Sequence, residues 1–593
     1  MKESWLKDKK NEKEIIFFSL LLLCLVVAYT SYNLFGHRIV KAAYEGKSIG
    51  ILNRIIKGQK TPTHDYYFKE ADRLSAYLFG SYILGIYILL FSVILRKSIF
   101  LRKFDLVLDR ILAKFLRRKF LIAIIFLALV FYFKKPYLNL PAFADESVYL
   151  NGVLKTYENN LNPFIEFWGY KPPVFFIFVA LLYKIFGYSL VISRLAILFF
   201  SFLTLYFTFL LGGKLYSKEV GFFAGLLLFF SPFFFAQSGL FFCDILVGAL
   251  TLSTIYFFLK NDRLKYVISA GLLILTKETA TLIVISIGIY RFFLGLSQLI
   301  KPYRIPCFLY KIRILMLEVL FLLSPLLFFF VWTLLNKLFL GWFLWPAYAS
   351  FLKHFSIDAW LIKYILKCAF WVNFRFIITL IILTSILFFL LFKNRIKQQP
   401  IKKEILLFII ISSTSIFFMA GLHLHHEFYG YNPRYLLFIQ PLFFIGGTAC
   451  IVQLIKNRIV YILILGIIIS LFIYSWKLVP WYPELNLAYL DIVEAHKQTT
   501  EFLEKNFFSS TIITHWPIID YLTDPRLGYV NKPLQCIILD SSISIEKIKT
   551  KKNRIIVISK FHMSCTKEGK ELVEFKPLKK FGAGNGEIFI YSF

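Results

Sequence analysis

Cysteine and metal-binding motifs are scarce in this sequence. Only seven of the 593 residues are cysteine, and no C-x-x-C or H-E-x-x-H pattern occurs. The sequence therefore predicts neither a structural nor a catalytic zinc site. Cys24, Cys243 and Cys450 lie inside apolar runs, where cysteine acts as a small hydrophobic residue. Cys536 and Cys565 share a polar segment and can pair if it is extracytoplasmic, which their spacing does not decide.

Acidic residues are also few: 35 Asp and Glu stand against 68 Lys and Arg, for a formal charge of +33. In a soluble protein such a balance would indicate nucleic acid. Here the basic residues fall mainly in short loops between apolar runs. We therefore expect them to set the membrane topology and to meet anionic lipid headgroups, and we predict no nucleic-acid partner.

Apolar and aromatic residues dominate the rest of the chain. The sequence is 58% hydrophobic and 19% aromatic, with 69 Phe and a mean hydropathy of +0.68. Soluble domains are nearer half apolar, so most of this surface must face lipid. The sequence predicts a polytopic α-helical membrane protein.

The first 118 residues predict a two-span membrane module. Apolar residues 14–36 follow a Lys-rich start and lack a small-residue cleavage site, so we interpret them as an anchor and not as a signal peptide. A second span covers 74–97, and residues 96–119 have the pattern of a basic amphipathic helix on the cytoplasmic surface. The positive-inside bias then places the amino terminus in the cytoplasm and the end of a third span, 119–134, outside.

Residues 119–479 predict a membrane core, which brings the total to about thirteen spans. Residues 174–187 are too short to cross a bilayer about 30 Å thick and predict an interfacial helix, and residues 361–370 are a second candidate of this kind. The basic clusters between spans all fall on one side, which supports this topology. The further predicted spans are 189–212, 219–236, 241–259, 264–276, 279–297, 312–335, 374–393, 404–421, 434–455 and 457–477.

After Trp481 the composition changes, and residues 480–593 predict a small extracytoplasmic α/β domain. Residues 486–506 have the pattern of an amphipathic helix. Short strands are predicted at 510–514, 536–539, 554–559 and 587–592. The glycine-rich residues 582–586 predict a hairpin turn and not a phosphate-binding loop, because a strand follows them instead of a helix.

Unusual polar residues gather at the predicted outer ends of the spans. Asp145 and Glu146 follow the third span, in a long loop of the kind that tends to carry function. Ionisable groups at membrane depth are costly and usually functional. The polar set on this side comprises Asp145, Glu146, Glu166, Lys171, Arg194, Asp244, Lys277, Glu278, His423, His425, His426, Glu427 and Arg434.

Several short motifs occur in a specific order. They are Asp145-Glu146, Lys171-Pro172-Pro173, Gly187 followed by Arg194, Ser231-Pro232, Asp244, Leu275-Thr276-Lys277-Glu278 and Pro433-Arg434-Tyr435-Leu436-Leu437. Their order and spacing resemble the polyprenyl-phosphate-sugar-dependent glycosyltransferases of the GT-C class, most closely the protein O-mannosyltransferase and lipid A aminoarabinose transferase branch. The resemblance spans roughly residues 119–477. It implies an extracytoplasmic active site, a polyprenyl-phosphate-linked sugar donor and inversion at the anomeric carbon.

The chemistry of this reaction fits the residue types. A sugar phosphate already carries a good leaving group, so one carboxylate suffices to take the proton from an acceptor hydroxyl. Asp145, whose match to the family is the closer one, is the candidate base, and Glu146 would orient it or bind donor hydroxyls. Lys277 and Arg434, with Arg194 and Lys171 behind them, are the candidates that bind the departing phosphate. The other substrate-binding candidates are Glu166, Tyr170, Asp244, Glu278, His426, Glu427 and Tyr435.

Each candidate also has a structural interpretation. Asp145 and Glu146 can be a solvated pair at a helix end, and Lys171-Pro172-Pro173 can simply start a helix. Asp244 can cap its helix, and Lys277 and Arg434 can be snorkelling anchors. The cluster of His423, His425, His426 and Glu427 can ligate a metal, but contact with a headgroup or acceptor is favoured, and no cofactor is predicted.

The leading functional hypothesis is an inverting glycosyltransferase of the cell membrane that acts on an extracytoplasmic acceptor hydroxyl of a protein, lipid or glycan. The alternatives are a secondary transporter or flippase of a lipid-linked substrate, and a non-catalytic membrane scaffold. Transporters often show paired repeats and polar sites near the membrane midplane. This chain shows no repeat and gathers its charges on one face, which favours the transferase.

Overall fold

The computed structural model describes residues 99–167, 170–299, 305–346, 359–391, 404–421, 432–455, 457–477, 483–539, 554–560, 572, 575–582 and 586–592. The predicted spans 14–36 and 74–97 lie outside these residues, as do His423, His425, His426, Glu427 and Cys565. The predictions made for them therefore remain predictions.

The membrane part is a bundle of mostly apolar helices. Its first helices are α1 (Ile99–Arg117), α2 (Lys119–Lys134), α3 (Glu146–Glu158), α4 (Val174–Phe186), α5 (Leu190–Leu215), α6 (Lys218–Phe230) and α7 (Pro232–Gln237). They are followed by α8 (Asp244–Lys260), α9 (Arg263–Ile274), α10 (Thr281–Leu299), α11 (Ile305–Leu323), α12 (Leu326–Leu340), α13 (Ala359–Phe370), α14 (Arg375–Leu391), α15 (Glu404–Gly421), α16 (Ile439–Leu454) and α17 (Arg458–Tyr474).

Length and hydropathy identify membrane-crossing helices among the described residues. Three helical stretches are long and apolar enough on their own, namely Lys119–Tyr137, Leu190–Leu215 and Glu278–Leu299. Two pairs of helices, each bent at a short break, are long and apolar enough when each pair is taken as one span, which gives up to five candidate spans. They are Phe308–Leu323 with Leu326–Leu340, bent by 45°, and Leu361–Phe370 with Arg375–Leu387, bent by 95°. Shorter apolar helices complete the bundle, among them α4, α16 and α17. The predicted class, a helical multi-pass membrane protein, is confirmed.

Two predicted spans are interrupted by proline, which cannot donate a backbone hydrogen bond within a helix. The span predicted at 219–236 breaks at Ser231, which has an extended backbone between α6 and α7, and Pro232 opens α7. The span predicted at 312–335 bends where Pro325 precedes α12. The sequence predicted neither interruption, because hydropathy averaged over a window is insensitive to one proline.

Large apolar side chains cover the outside of the bundle. Phe120 and Leu338 are each at least 70% exposed, and Phe186 is nearly so. In water such a surface would be a large uncompensated apolar patch, whereas lipid accommodates it. On α1, the exposed Val107 and Ile111 lie one turn apart on an apolar side, as expected for an amphipathic helix.

Helices α5 and α6 form a tight hairpin whose backbones touch. A Cβ on Gly221 would lie 2.2 Å from the carbonyl oxygen of Phe209, and a Cβ on Gly212 would lie 2.6 Å from the Cα of Gly221. Small residues allow this approach, which membrane helices use because burying apolar surface drives little association in lipid. The pair therefore fixes the helix that carries Arg194 next to the one that leads to Ser231.

We expect Gly221→Ala to destabilise the protein by about 1–3 kcal/mol, because the added methyl overlaps backbone that cannot move aside. The matched control is Gly466→Ala in α17, where an added Cβ meets nothing within 4 Å. This control should be neutral or slightly stabilising, since alanine favours helix over glycine. Thermal unfolding of the purified variants in detergent measures both, and equal melting temperatures would contradict the tight-packing interpretation.

The C-terminal domain consists of a mixed sheet with helices on it. The helices are α18 (Tyr489–Asn506) and α19 (Ile518–Thr523), and the strands are β1 (Thr511–Thr514), β2 (Cys536–Ile538), β3 (Arg554–Ser559), β4 (Lys579–Phe581) and β5 (Ile588–Ser592). The strand order is β2-β1-β3-β5-β4. β1 runs parallel to β2 and β3, whereas β5 is antiparallel to β3 and β4.

The small α/β domain is confirmed, although the sequence did not predict α19 and β4. Both are short, with six and three residues, and carry little periodicity. The predicted hairpin at the glycine-rich turn is also confirmed, because Phe581 pairs with Ile588 across it.

Antiparallel helix pairs bring remote parts of the chain to one end of the bundle. Helix α8 leads away from Asp244 and α9 returns to Lys277. In the same way, α16 leads away from Arg434, and α17 returns toward Glu484. A helix of 16 residues is about 24 Å long, so both ends of each pair meet on the side of the C-terminal domain.

Candidate functional site

The acidic loop, residues 138–145, presents one carboxylate to solvent. Ala144 has a φ of +46°, in the left-handed region that non-glycine residues rarely adopt. Asp145 follows at the N-terminus of α3, and its side chain does not cap the helix. The Asp145 side chain is 38% exposed. It is therefore accessible to a second molecule, as a proton acceptor must be.

Arg434 is the centre of the charged cluster. It lies in a short 3₁₀ turn, Pro433–Leu436, before α16, and its side chain is only 2% exposed. The guanidinium donates to Asp145 and, through Nη1, to both carboxylate oxygens of Glu484, at 2.9 and 3.0 Å. Its Nε lies 3.6 Å from Oδ2 of Asp244, and its Cζ lies 3.9 Å from the ring centroid of Phe242.

Asp244 and Lys277 form a buried ion pair beside Arg434. The Nζ of Lys277 donates to Oδ1 of Asp244 at 2.6 Å and lies 3.9 Å from the centre of the Tyr435 ring. Asp244 is the first residue of α8, but its carboxylate makes no capping hydrogen bond. The geometry thus favours neither the capping interpretation of Asp244 nor the snorkelling interpretation of Lys277 and Arg434, since both cations are buried.

Glu146 and Arg194 form a separate buried pair. Arg194 donates to the Glu146 carboxylate, to the carbonyl of Gly239 at 2.9 Å, and to the carbonyls of Leu140 and Pro141 at 3.2 Å each. Glu146 also accepts the Phe143 N–H at 2.6 Å. Both side chains are at most 4% exposed. Protein groups thus surround both charges, which favours a structural pair, and the predicted roles of Arg194 in phosphate binding and of Glu146 in catalysis remain predictions.

Lys171 lies at the edge of the cluster. Its Nζ is 3.8 Å from Oε1 of Glu278, and its side chain is 11% exposed, more than those of Lys277 or Arg434. The N–H of Val174 donates to the carbonyl of Leu275 at 2.9 Å. This bond joins the Lys171-Pro172-Pro173 motif to the turn that carries Lys277. Pro173 is also the N-cap residue of α4, so the motif starts a helix as well.

The remaining predicted substrate-binding residues are dispersed. Tyr435 packs against Lys277, as described above. Tyr170 is buried, donates to Asn336 Oδ1 at 2.9 Å and stacks on Trp332. Glu166 is exposed, and its backbone carbonyl accepts from Lys155. His426 and Glu427 lie outside the described residues.

Sequence reasoning missed Glu484. This residue lies in the 3₁₀ turn Pro483–Leu485, after the last membrane helix, and its buried carboxylate is bidentate on Arg434. Burial raises the pKa of Glu484 to about 7, although Arg434 opposes the increase. The signal that could have identified it is an acidic residue directly after a predicted span, at the same outer end as the other candidates.

No group of three or more His, Cys, Asp and Glu side chains with metal-binding geometry occurs among the residues that the structure describes. The three carboxylates of Asp145, Asp244 and Glu484 instead surround the two cations Arg434 and Lys277. The predicted preference against a metal remains a prediction, since the histidine cluster is not described.

The family comparison agrees with the predicted resemblance. A sequence model of the dolichyl-phosphate-mannose-protein mannosyltransferase family matches residues 170–329, about a quarter of the chain. The match includes Lys171, Arg194, Asp244 and Lys277 and confirms the resemblance over this region. A search of the curated proteins gives no match.

Solved structures with partial similarity include those of two proteins. ArnT from Cupriavidus metallidurans bound to undecaprenyl phosphate has 13% identity and a TM-score of 0.46, over 79% of this chain and 97% of that one. Archaeal oligosaccharyltransferase AglB from Archaeoglobus fulgidus, in complex with an inhibitory peptide and a dolichol-phosphate, has 12% identity and a TM-score of 0.44. That alignment covers 77% of this chain and 71% of the other.

Proposed function

We propose that this protein is a membrane glycosyltransferase that moves a sugar from a polyprenyl-phosphate donor to an acceptor hydroxyl, with inversion at the anomeric carbon. The family match over residues 170–329 supports this class. The observation that carries the proposal is the exposed carboxylate of Asp145, held by an arginine that two other, buried carboxylates also contact.

Asp145 acts as the general base in this proposal. Its carboxylate accepts the proton of the acceptor hydroxyl while that oxygen attacks C1 of the sugar. The bond between C1 and the phosphate oxygen breaks, and the polyprenyl phosphate leaves with the electron pair. Because the phosphate is already a good leaving group, no second carboxyl group is needed to protonate it.

Lys171 is the best-placed cation for the donor phosphate. Arg434 and Lys277 are buried and already paired with carboxylates, so a direct phosphate bond to either would require those pairs to open. Lys171 also has a carboxylate partner, Glu278, but that pair is longer at 3.8 Å, and Lys171 is more exposed and adjoins the Lys277 turn. Lys277 and Arg434 then stabilise the developing negative charge through space, in surroundings that exclude water.

The active site and the C-terminal domain face the outside of the cell membrane in this proposal. The sequence basis is the positive-inside bias, which assigns the basic loops at the opposite ends of the helices to the cytoplasm. The acceptor hydroxyl then belongs to an extracytoplasmic protein, lipid or glycan.

Transfer should slow as the pH falls through about 7. Burial raises the pKa of Glu484 to about that value, so Glu484 gains a proton below it and no longer balances the charge of Arg434. Arg434 then pairs more strongly with Asp145, whose oxygens become less available to an acceptor proton. Glu484→Gln should remove this step from the pH profile of kcat and keep the rate low throughout. A wild-type and a variant profile of the same shape would contradict the role of Glu484.

A reconstituted transfer assay tests the proposed function. The full chain in lipid vesicles is given dolichyl-phosphate mannose, labelled in the sugar, together with membrane extract as the source of acceptor. Release of dolichyl phosphate and labelled product supports a transferase. Movement of intact donor across sealed vesicles, without cleavage of the sugar phosphate bond, would instead indicate a flippase.

A further inference from the structure

A short segment of the C-terminal domain binds the acidic loop. This docking segment, residues 518–528, comprises α19, the 3₁₀ turn Pro525–Leu527 and Gly528. The hydroxyl of Tyr521 accepts the N–H of Ala144 at 2.6 Å, and the carbonyl of Leu527 accepts the N–H of Ala142 at 2.9 Å. Both bonds reach the backbone on the N-terminal side of Asp145.

A side-chain bond holds the other side of Asp145. The Ser147 hydroxyl donates to Oδ2 of Asp520 at 2.8 Å. The base candidate therefore lies between a residue bound by Tyr521 and a residue bound by Asp520. Glu146, the residue between Asp145 and Ser147, is bound from the membrane side by Arg194.

The approach of the docking segment is close and requires glycine. Gly528 has a φ of +87°, and a Cβ there would lie 2.9 Å from Leu190 and 3.4 Å from the Cα of Pro141. At the edge of the same contact, Tyr188 donates to the carbonyl of Arg526, and Arg526 pairs with Glu158 at 3.1 Å. The segment is thus anchored to the C-terminal half of the acidic loop, to the first turn of α3 and to two neighbouring elements.

The left-handed backbone conformation of Ala144 explains why these contacts are needed. An alanine in the left-handed region is unfavourable and persists only where the surroundings hold it. Because Asp145 is the next residue, rotation of Ala144 to an ordinary conformation would turn the carboxylate away from Arg434. The hydrogen bond that the Ala144 N–H donates to Tyr521 holds the peptide group that would have to rotate.

Tyr521 itself is rigid and uncharged. Its ring stacks on Tyr529, with centroids 4.1 Å apart, and meets the edge of His496 at 5.1 Å. Burial lowers the pKa of His496 to about 4, so this imidazole stays neutral at physiological pH. The position of the Tyr521 ring therefore does not depend on the ionisation of His496.

We propose that Tyr521 and Asp520 are positioning residues, through which the C-terminal domain holds Asp145 in its reactive orientation. The expected effect on the rate of transfer rests on the proposed function. The expected ordering of the acidic loop does not. The C-terminal domain then contributes to the active site by positioning its catalytic carboxylate.

The test removes one hydroxyl from the full chain. Tyr521→Phe keeps the ring and its stacking but loses the bond to Ala144. A lost hydrogen bond of this kind should lower kcat and speed amide exchange of the acidic loop by about three- to tenfold each. The donor KM should be unchanged. Ser147→Ala, which removes the bond to Asp520 from the membrane side, should produce the same pattern.

The matched control is Thr514→Val. It also removes a buried hydroxyl from the C-terminal domain, but this hydroxyl donates to the carbonyl of Val557 at 2.7 Å, within the sheet and not to the acidic loop. Hydrogen–deuterium exchange of residues 142–147 should match the wild type in this control. If Tyr521→Phe leaves either kcat or loop exchange at the wild-type value, the positioning role is wrong. If the wild type transfers no sugar, the proposed function fails, and the exchange measurement still decides whether Tyr521 orders the loop.

Discussion

Asp145→Asn is expected to lower kcat for sugar transfer by about 10²–10⁴-fold, the usual contribution of a general base. Asparagine keeps the shape of the side chain and can still accept a hydrogen bond from Arg434. It cannot take up the proton of the acceptor hydroxyl. The donor KM and the melting temperature should change little, because the Asp145 side chain is 38% exposed and adds little to packing. Initial rates of transfer at saturating donor measure the loss.

Asp491→Asn is the matched control for this prediction. Asp491 is an exposed carboxylate on α18 of the C-terminal domain, so the same chemical change there should leave transfer at the wild-type rate. Transfer retained by Asp145→Asn would refute the base assignment. A loss that follows a fall in melting temperature would also refute it, because it would make Asp145 a structural residue.

Arg194→Met should destabilise the protein by about 3–5 kcal/mol, the cost of leaving a buried charge without its partner. Glu146 would remain buried, and the carbonyls of Gly239, Leu140 and Pro141 would lose their donor. The large loss of stability distinguishes this structural role from the phosphate-binding role that the sequence predicted. A phosphate ligand would affect the donor KM and leave the melting temperature unchanged.

Two further variants test whether the loss of stability in Arg194→Met comes from the unpaired buried charge. Combining Arg194→Met with Glu146→Gln removes the unpaired charge and should recover part of the stability. Lys497→Met breaks a pair with Glu501 on α18 whose side chains are 49% and 60% exposed, so it should cost at most about 1 kcal/mol. Thermal unfolding in detergent compares all of them. A raised donor KM with normal stability in Arg194→Met would restore the phosphate-binding role.

The boundaries of the helices were largely predictable from the sequence. The span predicted at 457–477 corresponds to α17, and the one predicted at 404–421 corresponds to α15. A run of apolar residues of this length has few alternatives to a helix in lipid, because every backbone group must be bonded within the segment. The breaks at Ser231 and Pro325 required knowledge of local backbone geometry that hydropathy does not contain.

Part of the site was predictable as well. The topology placed Asp145, Lys277 and Arg434 at helix ends on one side of the membrane, and the structure brings them into one cluster with Asp244. The sequence could not show that Arg434 contacts three carboxylates, one of them Glu484, or that Arg194 belongs to a second pair.

The sequence by itself determined that the chain enters lipid, which segments are helical, and which charged residues share one end of the bundle. These properties follow from hydropathy, length and charge placement, all of which are local. The tertiary structure decided which carboxylate meets which cation. Arg434 and Asp145 are 289 residues apart, and an ion pair depends on a few ångströms between side-chain atoms that only the packing of helix pairs and the C-terminal domain can set.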